Sequence, residues 1–399
     1  MSLTLNPTVE SYSSILGGTA VSVLYNSQSR KVRAAPRLVQ RPSRAWETCK
    51  YPNHRGVKEM FSFEKKLLIL ALLCWTALAV LPRLSEGAAF EAVKAGFGAI
   101  SGIQAPLWVA KEARLFEKQG LEVELVYIPG GPRALMALLG GSIQFLNYSA
   151  IPTMTAALRG AEAVILGSAV NRPDHSLIVR PGIRNVQDLR GKTIGLSSLG
   201  SLTDILLTEA LRHEGLSERE VKIVAVGGLA ERLGALQIGR IDGAMLLGAQ
   251  MRAATKLGFK ELIKFSKLPF EVSLSSLISA RSFALKQPEI TFKFLRAWAE
   301  GIFVFKSNRG LGLNVLRKYT GIEDRELLED SYNQDKELIE LEPLPSISAV
   351  KSMLGILARN QPEAVNADPH RFVEMKFMTE MKKGGFFEEM KRQYPGAKN

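Results

Sequence analysis

Short apolar runs alternate between residues 90 and 285 with longer stretches whose apolar positions recur every three or four residues, and glycines punctuate nearly every change of pattern. The short runs predict strands and the periodic stretches predict helices. Val93–Phe97 reads as a strand ending in the turn Gly98-Ala99-Ile100-Ser101-Gly102. Pro106 suits a first helical turn, so a helix runs from it to Gly120. Val123–Ile128 is a second strand, and Pro129-Gly130-Gly131-Pro132 turns into a helix over Arg133–Leu139. Gly140-Gly141 ends that helix. Ile143–Leu146 is a third strand, a helix follows to Gly160, and Val164–Val170 is a buried strand at the first crossing between two halves.

The grammar then repeats. The first copy spans about Val93 to Gly160 and the second about Lys192 to Gly258. In the second, Asn185–Gly191 is a polar-capped short helix, Thr193–Leu196 a strand, and Ser197-Ser198-Leu199-Gly200-Ser201 its turn. A helix from Leu202 to His213, a strand over Val221–Val226, a helix over Ala230–Ile238, a strand over Ile241–Leu246, a helix over Ala249–Leu257 and a strand over Leu262–Phe265 complete it. Residues 270–280 read as a strand returning to the first half. Five helices then follow: Gln287–Ser307, Leu311–Tyr319, Asp324–Lys336, Ile347–Arg359 and Pro369–Lys383. The expectation is an α/β fold of two lobes, with parallel strands and right-handed crossovers in both. Its C-terminal helices pack outside lobe one. Ligands of such sheets bind where strand ends meet helix N-termini, so two facing sheets make a cleft between lobes.

Composition changes this picture mainly at the start of the chain. The 399 residues carry a net charge of +13. Nine Lys and Arg residues lie in 1–59 against few acids, so close to half of the charge arises there and no nucleic-acid footprint is implied for the folded part. Residues 1–59 lack apolar periodicity and read as a disordered leader. Residues 67–81 form an apolar run behind Lys65 and Lys66. A membrane-crossing helix needs about 20 residues. The run fits the core of a secretory signal over 60–89, with cleavage after Ala89 or near Ser85/Gly87. An uncleaved membrane anchor is the other reading. Met60 is the expected start of translation. Both cysteines, Cys49 and Cys74, precede residue 90, so the folded part offers no thiolate and needs no disulfide.

Four segments carry a resemblance: LWVAKEARLFEKQGLEV (107–123), GGPRALMALLGG (130–141), VQDLRGKTIGL (186–196) and GRIDGAM (239–245). In this order they resemble the solute-binding proteins of ABC importers, in the nitrate/sulfonate/taurine branch. The resemblance implies a type II periplasmic-binding-protein fold, capture of a small solute outside the inner membrane, and delivery to an ABC permease, by a protein acting as a monomer. On that plan 90–171 begins lobe one, 172–267 is lobe two, and 268–399 returns to lobe one with the C-terminal helices. Where the family often has Gly-Glu-Ile-Asp, this chain has Gly141-Ser142-Ile143-Gln144.

The candidate ligand-binding residues come from the strand-end turns: Ser101, Gly102, Gln104, Gly131, Arg133, Asn147 and Ser149 in lobe one, and Ser197, Ser198, Ser201 and Thr203 in lobe two, with Gly228 as an addition. Hydroxyls, amides and free N–H groups at helix starts suit an anionic head group. Each serine or asparagine equally suits capping its own helix. Arg133 is the one cation in these turns, and a solvated first-turn arginine is its plain alternative. Asn171, Arg172 and Asp174 are hinge or cleft residues, His175 a surface or satisfied histidine, Trp108 a core residue, and Asp242 a turn organiser. An enzyme on the same fold, related to thiamin pyrimidine synthesis, is the second reading. It wants a cysteine-rich motif and active-site histidines. The four histidines here, His54, His175, His213 and His370, hold no metal-ligand spacing, and no nucleophile elbow or P-loop occurs. The expectation is therefore a binder with no cofactor or metal, active on a sulfonate-, nitrate- or carboxylate-like solute.

Overall fold

Ala163–Val170 is buried at every position because C-terminal segments around Glu340, Pro343 and Glu374 hydrogen-bond its outer edge, whereas Leu121–Tyr127 begins by alternating buried and exposed residues, as an uncovered edge strand does. The computed structural model describes residues 90–267 and 271–398, all within one compact unit, Pro82–Asn399. The expectations for the leader, the signal, Met60, His54 and the two cysteines lie outside the described residues.

Ten strands occur among the described residues: β1 (Glu91–Phe97), β2 (Leu121–Tyr127), β3 (Phe145–Tyr148), β4 (Ala163–Val170), β5 (His175–Val179), β6 (Thr193–Leu196), β7 (Lys222–Ala225), β8 (Gly243–Leu247), β9 (Lys260–Lys264) and β10 (Ser275–Ala280). They form two five-stranded sheets, in the orders β2-β1-β3-β10-β4 and β7-β6-β8-β5-β9. The molecule thus has two α/β lobes. The chain leaves lobe one after β4 and returns through β10. The two crossings lie side by side, with the Val272 and Leu274 amides donating to the Asn171 and Val170 carbonyls.

The sheets are mixed, which corrects the all-parallel expectation. β1 is parallel to β2 and β3, and β6 to β7 and β8. β10 runs antiparallel to β3 and β4, and β5 antiparallel to β8 and β9. Both reversed strands come directly after a crossing, so each enters its sheet from the neighbouring lobe rather than from a crossover helix of its own lobe.

The helices are α1 (Ala105–Glu112), α2 (Leu115–Lys118), α3 (Gly131–Leu139), α4 (Ile151–Leu158), α5 (Leu202–His213), α6 (Leu229–Gln237), α7 (Gly248–Lys256), α8 (Arg281–Lys286), α9 (Pro288–Ser307), α10 (Arg309–Thr320), α11 (Arg325–Leu338), α12 (Ile347–Leu357), α13 (Lys376–Lys383) and α14 (Phe386–Gln393). The single helix expected from Pro106 to Gly120 is broken at Arg114, whose φ of 55° is left-handed. Past the break Phe116 packs on Phe294, with ring centroids 4.8 Å apart. Phe294 also stacks on Phe145 of β3 at 4.0 Å, so α9 is the apolar backing of the first sheet. Trp108 is buried and stacks on Tyr319 at 4.7 Å, a core residue as the spacing implied.

The C-terminal helices do not confine themselves to lobe one. Arg252 of α7 in lobe two donates to Ser331 and Gln334 of α11, Lys256 pairs with Glu326 at 2.8 Å, and Arg359 pairs with Glu209 of α5. Polar residues on α11 made this tie, and helical periodicity alone did not expose their partners.

Candidate functional site

Turns at the ends of β1 and β3 in lobe one face turns after β6 and β8 in lobe two. Between them is a cavity of about 50 Å³. That is room for a few water molecules or one small polar head group. Lobe one lines it with Gly98, Ala99, Ile103, Gln104, Tyr148, Ser149 and Leu274, and lobe two with His175, Ser197, Ser201, Leu202, Thr203, Arg232 and Leu247. A groove of about 940 Å³ beside β1 and β2 is larger, but its lining comes from lobe one and α10 alone.

Local chemistry sets each wall. Ser197, Ser201 and Thr203 form a triangle of hydroxyls with edges of 2.8–3.0 Å, and the Ser197 amide donates to Thr203 Oγ1 at 3.1 Å. The triangle sits at the start of the 12-residue α5, whose Ser201 cap makes no side-chain bond to the helix amides. The Gly200 amide donates instead to Asp204 Oδ2 at 2.8 Å, which fixes the turn. On the facing lobe the Tyr148 ring lies against bare backbone. A Cβ at Gly98 would come within 1.4 Å of it, so only glycine admits the ring there. The Gly130 backbone hydrogen-bonds the Tyr148 hydroxyl, and burial pushes its pKa up to about 12.

Arg232 is the feature the sequence reading missed. It occupies the buried face of α6 with Leu229 and Leu236 and is 4% exposed. Its Nε donates to the Gly228 carbonyl at 3.1 Å and Nη1 to the Met245 carbonyl. Burial lowers its pKa to about 10, so the guanidinium stays charged at neutral pH. No ion pair reaches it among the described residues. The available signal was positional: an arginine at the i+3 place between two leucines of an amphipathic stripe.

His175 corrects a second expectation. It is neither on the surface nor satisfied: it lies on β5, 4% exposed, with Nδ1 lacking a partner. Burial first, then the Arg232 charge, pushes its pKa down to about 3, which keeps the ring neutral.

Of the expected site residues, Gln104, Ser149, Ser197, Ser201 and Thr203 line the cavity. Ser101 is buried beside Gly248, and Ser198 lies across the seam from Gly130. Asn147 is fully buried and accepts from Ser275 Oγ at 3.1 Å. Gly131 packs on Pro152 and Tyr148, and Gly102 on Asp335, so both glycines serve packing outside the lining. Arg133 is exposed and also outside the lining, because α3 buries Gly131, Ala134, Leu135 and Leu138 and turns position 133 to solvent. Gly228 caps α6. Asp242 holds the Thr193 amide at 2.9 Å, organising the strand edge as expected.

The unmet hydrogen-bond capacity of this region is concentrated. Ser101 Oγ, Gln104 Oε1, Asn147 Nδ2, Ser149 Oγ, His175 Nδ1 and Ser198 Oγ are all buried without a partner within the protein. Each such group carries a desolvation cost of about 1–3 kcal/mol unless something else meets it. An unpaired guanidinium facing hydroxyls and amides, with Ile103, Leu202, Leu247 and Leu274 alongside, is chemistry for a small anion that has an apolar part.

Comparison with known proteins gives a consistent picture. A family model described as NMT1/THI5 like matches residues 103–308, just over half of the chain. A protein of Escherichia coli (strain K12), provisionally named an aliphatic sulfonates-binding protein, is 27% identical over 264 residues, 64% of this chain and 79% of that protein. The solved structure of the alkanesulfonate-binding protein SsuA from Xanthomonas axonopodis pv. citri, bound to MOPS, is similar with a TM-score of 0.60 at 20% identity, covering 72% of this chain and 97% of that one. The desulfurization enzyme DSZB is similar with a TM-score of 0.57 at 12% identity, covering 74% and 99%. The two-lobed periplasmic-binding-protein fold therefore carries both capture and catalysis, and the site has to decide between them.

Proposed function

Because the chain belongs to the NMT1/THI5-like family, we propose that it is an extracytoplasmic solute-binding protein that closes its lobes on a small organic anion and delivers it to an ABC-type permease. One observation carries this reading: a buried, charged Arg232 with no ion pair among the described residues faces a cavity whose walls hold unsatisfied hydroxyl and amide groups. The anion's oxygens would take the Arg232 charge and the hydroxyl proton of Ser149, and protons of Ser197, Ser201 and Thr203 would become available as these hydroxyls turn out of their triangle, while Gln104 orients the guest. The name of the Escherichia coli relative supports a sulfonate among the candidates. Export would follow from the apolar run 67–81 behind its lysine pair.

Binding rather than turnover follows from the nature of these groups. Among the described residues His175 is the one imidazole lining the cavity, and with a pKa pushed down to about 3 it is a weak base that takes up no proton at neutral pH. Capture needs no bond-making. The ligand shifts an open–closed equilibrium by its differential affinity for the closed form.

The test is a thermal-shift and native-mass screen of the purified protein against alkyl sulfonates, carboxylates and nitrate. A true ligand at a hundredfold excess over Kd stabilises the fold by about 2.7 kcal/mol. Arg232→Gln should weaken it by at least about tenfold, the worth of a charge-assisted bond. Equal binding by Arg232→Gln, or conversion of a bound compound beyond one equivalent, removes the proposal.

A further inference from the structure

Beside the ligand cavity the lobes meet at a second polar cluster. Asp174 lies on the link between β4 and β5, Arg252 on α7 of lobe two, and Ser331, Gln334 and Asp335 on α11. Arg252 donates to Ser331 Oγ at 2.6 Å and to Gln334 Oε1. Gln334 Nε2 donates in turn to Asp174 Oδ1 at 2.7 Å. Asp174 Oδ2 is buried without a close hydrogen-bond partner, and the Gly248 backbone amide also favours the charged form of this carboxylate. Asp335 is 1% exposed, and no side-chain hydrogen bond or ion pair reaches it among the described residues. Its carboxylate presses on Gly102, where a Cβ would lie 1.8 Å from Oδ2.

We infer that this seam is a proton-operated latch: closing the lobes takes up a proton at the Asp174–Asp335 pair, so the closed form is favoured in acid and loosened in alkali. The inference rests on the two-lobed closure proposed above but not on the identity of any ligand. At Asp335 a buried carboxylate to which no side chain donates is costly to keep charged, and the Asp174 charge adds repulsion, even though Gln334 donates to Asp174. A proton removes the charge and supplies an O–H donor for one of the orphaned oxygens. In an open form, water would solvate both groups and the demand for the proton would lapse.

The surrounding charges do not cancel the pair. From lobe two, Arg252 and Lys264 act on Asp174, and Arg252 also acts on Asp335. His175, next in the chain, stays neutral. Lys256 is committed to Glu326, and Arg309 and Arg325 to Glu329. The turn at Ser101–Gln104 contributes no titrating group. Burial accordingly pushes Asp174 up to about 6 against the pull of Gln334 and Arg252, and burial together with the Asp174 charge drives Asp335 well above the ordinary carboxylate range. For acids raised in this way, the closed form binds more protons. Its advantage is complete below the ordinary carboxylate pKa and is lost as pH rises through the closed-form values.

The test is hydrogen exchange on the full chain with no anion added, read at amides of 248–252 and 331–338 and corrected for intrinsic exchange. Protection should rise about tenfold between about pH 8 and about pH 5.5, and the double variant Asp174→Asn/Asp335→Asn, which removes both titrating groups, should be protected equally at both. A parent with equal protection at the two pH values, or a pH step that survives unchanged in the double variant, overturns the latch. Should that variant not fold, infrared spectroscopy of the parent at neutral pH decides: a protonated-carboxyl band is required, and a spectrum of fully ionised carboxylates overturns it. The assay contains no ligand, so its failure leaves the anion site standing, and failure of the anion screen leaves the latch standing.

Discussion

An arginine on the apolar stripe of a helix must have its charge answered, and at position 232 two backbone carbonyls do only part of this. His175 shows the opposite solution, a titratable group kept neutral by burial. The sign of its effect on stability follows directly. The unfolded chain takes up a proton below about 6.5 while the folded chain waits until about 3, so His175 costs stability progressively as pH falls through that window. Removing the titration with His175→Gln should leave a melting temperature that declines less between pH 6.5 and 3 than the parent's, as calorimetry across that range would show. Asp174 and Asp335 act with the opposite sign, so parent and variant should be compared over the whole range and not at one pH. Serine, by contrast, was ambiguous in sequence. The triangle of Ser197, Ser201 and Thr203 ties its own turn together and also lines the cavity, so the same hydroxyls hold both places without capping the helix amides.

Elements were legible where short-range pattern decided them. Thr193–Leu196 and Leu202–His213 fall where periodicity and the following Gly215 placed them. β5 escaped notice because His-Ser-Leu-Ile-Val carries two polar residues, and only its central place between β8 and β9 buries them. The break at Arg114 was equally silent, since nothing in the residue type demands a left-handed backbone. The contact between the β1 turn and Tyr148 yields a prediction at this scale. Gly98→Ala would drive a methyl into the ring, expelling Tyr148 from the cavity wall. Stability should fall by about 1–3 kcal/mol in chemical denaturation and anion-induced stabilisation should be lost. A variant binding anion as the parent does would show that Tyr148 forms no part of the site.

For the whole molecule, the two crossings run side by side between the lobes, and α11 with the segment after α12 ties the lobes together elsewhere. Arg252 is the centre of that tie, donating to both Ser331 and Gln334. Arg252→Met should shift the ligand-free protein toward an open form, seen as a larger radius of gyration in X-ray scattering at neutral pH. An unchanged radius would mean that the other contacts alone hold the lobes together. The same tie explains why the C-terminal third was placed too narrowly from sequence. An amphipathic helix announces one buried face, but the second contact of α11 uses polar residues on another, and these look like a solvated surface until lobe two is folded against them.

The sequence by itself determined the alternation of strands and helices, the duplicated lobe plan and the set of polar turns, because these depend on local periodicity, glycine placement and caps. Only the tertiary structure decided which polar groups are sealed away from water. Burial is a property of what distant segments cover, so the unpaired charge of Arg232, the neutrality of His175 and the buried carboxylates Asp174 and Asp335 come into being when those segments close over them.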